Sequence, residues 1–169
     1  MSVAIPTPDI AARFHSAVAA HLSHDPNGLI GLSVSGGGDS VAMMHLAARM
    51  IEPCRLRVVT VDHGLRAGAA DEIALVAAQA AKLSLAHTVL NWTWDRQGNL
   101  QAAARAGRWS AIRKWAEVQS IDTIFLGHTE DDQLETLLMR LARGACVDGL
   151  SAIPEQRLFQ GDGLCWTVG

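Results

Sequence analysis

"GLSVSGGGDSVAMMHL", from Gly31 to Leu46, is the stretch that decides the fold. The short apolar run Leu29–Ser35 has the length and composition of a buried strand. Gly36, Gly37 and Gly38 follow, then Asp39 and Ser40, then apolar residues at helical spacing. Three successive glycines raise the entropy lost on folding and add nothing to packing, a cost no simple strand-to-helix turn requires. It makes sense where main-chain N–H groups must approach an anion closely, with the positive end of the next helix behind them. Phosphate is the usual occupant of such a cradle.

The spelling of the loop excludes two familiar cradles. A Walker A loop ends in Gly-Lys-Ser or Gly-Lys-Thr, whereas this one ends Gly38-Asp39-Ser40 and holds no lysine. The dinucleotide fingerprint GxGxxG, aligned on Gly36 and Gly38, puts Val41 where a small residue belongs. Asp39 adds its own constraint. An acid in the first helical turn is favoured by up to about 1 kcal/mol, but beside phosphates it repels them unless a cation lies between. Asp39 therefore implies Mg²⁺, or a role next to a departing pyrophosphate.

Outward from this loop, strands alternate with helices. Ile10, Phe14, Val18 and Leu22 recur every fourth residue behind Asp9, which predicts a capped first helix that ends at the Asp25–Gly28 breaker. A helix is expected over Asp39–Ile51, a second strand over Arg55–His63, and a helical face at Ile73, Val76, Ala77, Ala80 and Leu83. A third strand is expected over Leu85–Trp92, then a long helix from Asn99 to Gln119 with Leu100, Ala103, Ala104, Ala111, Ile112 and Trp115 inward. A fourth strand covers Asp122–His128 and a helix Glu130–Ala142. This order predicts an α/β protein, a Rossmann-like open parallel sheet with helices on both faces. The tail reads as a short β-hairpin around Gly161-Asp162-Gly163. Ligands in such sheets bind beyond the carboxyl ends of the strands, where strand order reverses.

The 169 residues make one domain, and 49% apolar against 18% charged residues predict an ordered globular one. A chain ending in a strand suggests a fragment of a longer protein. The net charge of −3 gives no global support for nucleic-acid binding. Cys54, Cys146 and Cys165 lie far apart without a CxxC pair, which excludes a disulfide framework and a zinc ribbon and suits a reducing, cytoplasmic setting. The N-terminus lacks a secretory pattern, and no run approaches the ~20 apolar residues of a membrane span, so no membrane partner is expected.

"SGGGDS", Ser35–Ser40, resembles the pyrophosphate loop SGGxDS of the N-type ATP pyrophosphatases, the PP-loop superfamily. "VDHGLR" (Val61–Arg66), "NLQAAARAGRW" (Asn99–Trp109) and "GHTEDDQLETLLMRLARGACVDGL" (Gly127–Leu150) follow in order. Together they resemble the tRNA(Ile)-lysidine synthetase family from about Leu29 to Pro154. The resemblance implies an enzyme that uses ATP and Mg²⁺ to adenylate C2 of the wobble cytidine in a tRNA(Ile) with a CAU anticodon. The ε-amine of L-lysine then displaces AMP, after pyrophosphate has left, to form lysidine. A homodimer is left open, and the family's C-terminal tRNA-binding regions are missing from the chain. Cys146 stands where the family more often has glycine.

By that resemblance Ser35, Gly36, Gly37, Gly38, Asp39, Ser40, Asp62, His63, Arg66, Arg108, Gly127 and Arg143 are expected to bind the nucleotide. Asp39, Arg105, His128, Asp131, Asp132 and Glu135 are expected to be catalytic, with Asp39 and Asp132 on the metal. The residues themselves leave alternatives open. On a helix Asp131, Asp132 and Glu135 converge and suit either Mg²⁺ or a lysine ammonium, whereas Thr129 with Asp132 also spells a capping box. His63 suits a surface imidazole as well as a site. Arg105 and Arg108 suit solvated helix charges as well as forks for phosphate or the lysine carboxylate. Arg143-Gly144 suits a helix end. Two rivals remain: a cytidine thiolase of tRNA, which would carry cysteine pairs this chain lacks, and a non-catalytic nucleotide-binding module, which gives the acid cluster no purpose. A glutamine-fed synthetase would need a glutaminase domain.

Overall fold

A computed structural model describes residues 12, 14–16, 18–19, 27–64, 68–93, 99–127, 156–158 and 165–168, the last two segments and residues 101–102 as backbone. Strand β1 covers Leu29–Ser33 and leads through the glycine loop into helix α1, Gly38–Met50. Then come β2 (Leu56–Asp62), α2 (Ala69–Lys82), β3 (Ala86–Asn91), α3 (Leu100–Gln119) and β4 (Ile121–Leu126). Strands β5 (Gln156–Leu158) and β6 (Cys165–Val168) pair antiparallel, as the expected hairpin. The sheet order is β3-β2-β1-β4-β6-β5, with every pair but the last parallel. The α/β, Rossmann-like reading therefore holds. Strand order reverses between β1 and β4, so the carboxyl ends of these two strands flank the crevice.

The core forms two layers because alternate strand residues point to opposite faces. Ile30, Leu32 and Val34 with Leu56 and Val58 meet α1 and α2 on one face. On α1 the buried residues are Ser40, Met43, Met44 and Ala47, the three-and-four spacing of a single helical stripe. Phe14 and Val18 of the N-terminal helical residues join this layer, Phe14 edge-on to Phe125 at 6.3 Å. On the other face Val59, Ile124 and Leu126 meet Ile112, Trp115 and Ala116 of α3. Gly31 is bare because a Cβ there would lie 3.0 Å from Ile124 Cγ1 and 3.1 Å from Trp115 Cζ3. Helices thus cover both faces.

Register then shapes the site. Ser33, the last residue of β1, sits opposite Val59 of β2 and Leu126 of β4. Strand β2 continues to Asp62, paired with Asn91 of β3, and so rises as a wall beside the glycine loop. A lateral chain holds the wall: Thr60 Oγ1 donates to Val34 O at 2.8 Å, so His87 Nε2, 2.9 Å away, is the donor to that hydroxyl. The helix expected over Glu130–Ala142, the breaker at Asp25–Gly28 apart from residues 27–28, and the hairpin turn lie outside the described residues.

Burial holds the His87 pKa below the ordinary 6.5 because the desolvated ring resists charge. The unfolded chain then binds more protons just below that value. The stability contributed by neutral His87 is present above 6.5 and is lost as pH falls below it. Urea midpoints measured on either side of that value are expected to fall less in His87→Gln than in the wild-type chain.

Candidate functional site

Three loop glycines have different reasons for being bare. Gly36 takes φ +93°, and a Cβ there would come within 2.9 Å of Glu72 Cβ, so the fold itself requires it. Gly37 has φ −67° and its Cβ would meet only Ser35 Oγ at 3.6 Å. A Cβ on Gly38 would meet nothing within 4 Å. Neither packing among the described residues nor backbone geometry explains these two.

The loop is held by its own serines. Ser40 Oγ donates to Gly37 O at 2.8 Å and accepts from Ser35 N–H at 3.2 Å. Ser35 Oγ lies 3.3 Å from Ser40 Oγ and accepts from Gly37 N–H at 3.5 Å. The proton of Ser40 is thus committed to Gly37 O, and Ser35 donates to Ser40. Gly37 is the N-cap of α1, and no side-chain cap among the described residues takes up the first N–H groups at the positive end of the helix dipole. Gly127, just past β4, closes the far side: a Cβ there would lie 2.6 Å from Ser40 Cα. Only glycine lets the end of β4 abut the start of α1.

Two cavities open above the sheet. One of about 230 Å³ is lined by Ser35, Gly37, Asp39, Ser40, Arg108 and Gly127, together with Ser33 and Leu126. A second, of about 280 Å³, lies between α2 and α3 and is lined by Asp62, His63, Glu72 and Arg108 among others. Ser33, Ser35 and Arg108 line both, so the two form one cleft over the carboxyl ends of β1 and β2. Gly36 and Gly38 belong to the loop without lining either cavity. Asp62 accepts the Gly64 N–H at 2.8 Å and thereby holds the turn at Gly64, φ +62°. His63 meets Trp92 edge-on at 5.7 Å.

Arg108 is the basic residue that reaches the cleft. It lies one turn before Ile112 on the inward stripe of α3, Nη2 donates to Ser33 Oγ at 3.2 Å, and its guanidinium carbon sits 5.7 Å from the Trp109 ring centroid. Burial first, and the neighbouring Arg105 charge second, lower its pKa. No carboxylate offsets this among the described residues. Arg105 itself is exposed and lines neither cavity. Asp39 is exposed at the rim of the smaller cavity, where a carboxylate and phosphate oxygens would offer the oxygen donors Mg²⁺ prefers. Among the described residues no group of three His, Cys, Asp or Glu side chains forms a metal cluster. Arg66, His128, Asp131, Asp132, Glu135 and Arg143 lie outside the described residues. Ser33 and Glu72 were missing from the sequence reading. A serine ending a strand and an acid opening a helix carry no mark of a cleft until the topology places them.

A family model described as a PP-loop domain matches residues 7–165. The tRNA(Ile)-lysidine synthase of Ruegeria pomeroyi is 51% identical over 84% of the chain and 35% of its own length. Its namesakes in Rhodopseudomonas palustris and Bradyrhizobium diazoefficiens are 46% and 44% identical over 74% and 92% of the chain, and 38% and 43% of theirs. The chain therefore spans well under half the length of these curated relatives. Among solved structures, a U34-tRNA thiolase with a [4Fe-4S] cluster from Methanococcus maripaludis superposes with a TM-score of 0.64 at 17% identity, over 81% of this chain and 51% of that one. An NH3-dependent NAD synthetase from Campylobacter jejuni gives 0.57 at 11%, over 84% and 62%. These two share the fold. No described helix is long and apolar enough to cross a membrane. With its glycine loop opening at the point of strand reversal and a family match along nearly its whole length, the chain belongs to the PP-loop domain family.

Proposed function

We propose that this chain carries the adenylating site of a tRNA(Ile)-lysidine synthase, which joins L-lysine to C2 of the wobble cytidine and converts ATP to AMP and pyrophosphate. The observation that carries the reading is the meeting of a bare main chain with a cation that no carboxylate of the described residues offsets. Arg108 is partly buried beside a hydroxyl and within the field of a second guanidinium, and it faces a loop whose outer glycines no protein contact explains. A triphosphate satisfies both. It brings charge to the guanidinium fork and acceptors to the first N–H groups of α1. The larger cavity, walled by Asp62 and His63 and floored by the end of β1, has room for the nucleoside.

In this reading Gly37, Gly38 and Ser40 shape the cradle and Arg108 grips phosphate. Asp39, with Asp132, would hold Mg²⁺, which would supply positive charge to offset that of the phosphates. His128, Asp131 and Glu135 serve adenylation or the lysine ammonium, and Arg66, Arg143 and Arg105 serve phosphate or the lysine carboxylate. Choice of lysine as nucleophile rests on the shared name of the three curated relatives.

Gly38→Ala is expected to leave the unfolding midpoint unchanged or raise it, since alanine is favoured by about 1 kcal/mol inside a helix. The same variant is expected to weaken ATP at least about tenfold in calorimetry, the scale of one charge-assisted hydrogen bond. Affinity equal to wild type would remove the cradle. Arg108→Gln is expected to lose about 10- to 100-fold in ATP affinity while the ligand-free chain keeps its urea midpoint, because a half-buried cation that no described carboxylate offsets is removed. Formation of AMP in the presence of a CAU-anticodon tRNA(Ile) is expected to respond to L-lysine and not to a sulfur donor. The opposite response would assign the site to a thiolase.

A further inference from the structure

Trp92 joins the two walls of the cleft without lining it. Its backbone N–H donates to Asp62 O at 2.8 Å, which extends the β2–β3 ladder past the end of β3. Its indole meets His63, at the top of β2, edge-on. On its other side the indole lies against α3 at Gly107, where a Cβ would overlap Nε1, Cδ1 and Cε2. Gly107 immediately precedes Arg108, whose fork reaches Ser33 across the cleft, and Ala104, one turn earlier, lines the larger cavity. Glycine in the middle of a 20-residue helix weakens it relative to alanine. Here that weakness has a specific return: the helix axis comes as close to the indole as its backbone allows.

We propose that Trp92 and Gly107 form a size-matched pair that sets the approach of α3 to the end of β2, and so positions Arg108 over the phosphate cradle. The proposal rests on the reading of the cleft as an ATP site. Trp92 is a positioning residue. A methyl group at position 107 collides with the indole, and in this proposal it is α3 that gives way, so the displacement passes first to the adjoining Arg108. Misplacing a binding group by about 1 Å can cost up to 100-fold where geometry is demanding. Conversely, an alanine at position 92 removes every atom the methyl would strike.

The test is ATP binding by calorimetry, with Mg²⁺, on the whole chain and well below the unfolding midpoint of each variant. Gly107→Ala is expected to weaken ATP about tenfold, the scale of coupling between neighbouring groups. The double variant Trp92→Ala/Gly107→Ala is expected to bind ATP no more weakly than Trp92→Ala alone, because the methyl then has no indole to strike. In an Arg108→Gln background Gly107→Ala is expected to change nothing, because its effect passes through Arg108. A merely structural pair would lower the unfolding midpoint and leave affinity intact in the folded fraction. That result, or equal losses with and without Arg108, overturns the proposal. Should Gly107→Ala not fold, Trp92→Ala alone serves: weaker ATP only where Arg108 is present supports the pair, and an equal loss in both backgrounds sinks it. No ATP binding by the wild-type chain sinks the functional reading and this proposal together, whereas wild-type affinity in Gly107→Ala sinks this proposal alone.

Discussion

One serine hydroxyl governs the turn on which the site is built. Ser40 is buried at the first turn of α1, where its oxygen accepts from Ser35 N–H and its proton goes to Gly37 O. A strand-to-helix turn has to satisfy its own polar groups, or lose a few kcal/mol for each one buried without a partner. Ser40 and Ser35 do this from inside the turn. Among the described residues no side-chain cap consumes the N–H groups at the helix start. Ser40 also belongs to the stripe with Met43, Met44 and Ala47 that anchors α1 on the sheet. The same residue fixes the loop to the core and frees its outer face.

Close approach is the second theme, and it is always glycine that permits it. Gly31 lets Trp115 lie flat against β1, Gly127 lets β4 touch the start of α1, and Gly36 lets the loop pass under α2 at Glu72. Each brings one wall of the cleft nearer than a side chain would allow. Gly37 and Gly38 are different in kind, since among the described residues an added Cβ would meet only Ser35 Oγ at Gly37 and nothing at Gly38. Sorting the glycines by what would meet an added Cβ separates those serving packing from those serving a ligand. Counting glycines in the sequence cannot make that separation.

The parallel sheet was legible because its strands are continuous apolar runs and its helices carry clear stripes. Strand and helix limits fell within two residues of the observed ones for β1, β2, β3, α1 and α3. The inward face of α3 was read as far as Ile112 and Trp115 but missed Ala116, because alanine fills every face of that helix and only packing tells them apart. Helices α2 and α3 stop at Ser84 and Ser120, in left-handed backbone at φ 58° and 53°, where glycine is the usual signal. Of the site, the loop was legible from composition alone. Arg105 and Arg108 looked equivalent in sequence, both basic residues on an alanine-rich helix. The structure separates them, since only Arg108 crosses to Ser33.

That separation bears on how an acidic chain can hold a polyanion. The net charge is −3, which would repel a triphosphate at long range if it were spread evenly. Screening confines such effects to about 10 Å at moderate salt, so what matters is the charge within one turn of the site. The described part of the cleft is itself acidic, with Asp39, Asp62 and Glu72 against one guanidinium, Arg108. Asp62 accepts the Gly64 N–H and Asp39 stands at the rim in solvent, while Arg108 lies half-buried between the two cavities. Burial lowers the guanidinium pKa, but from so high a value that the group stays charged. The desolvation cost already met in folding is then not charged again on binding, and an arriving phosphate gains the full interaction. Among the described residues, Arg108 is the half-buried cation that supplies the local exception to an acidic average.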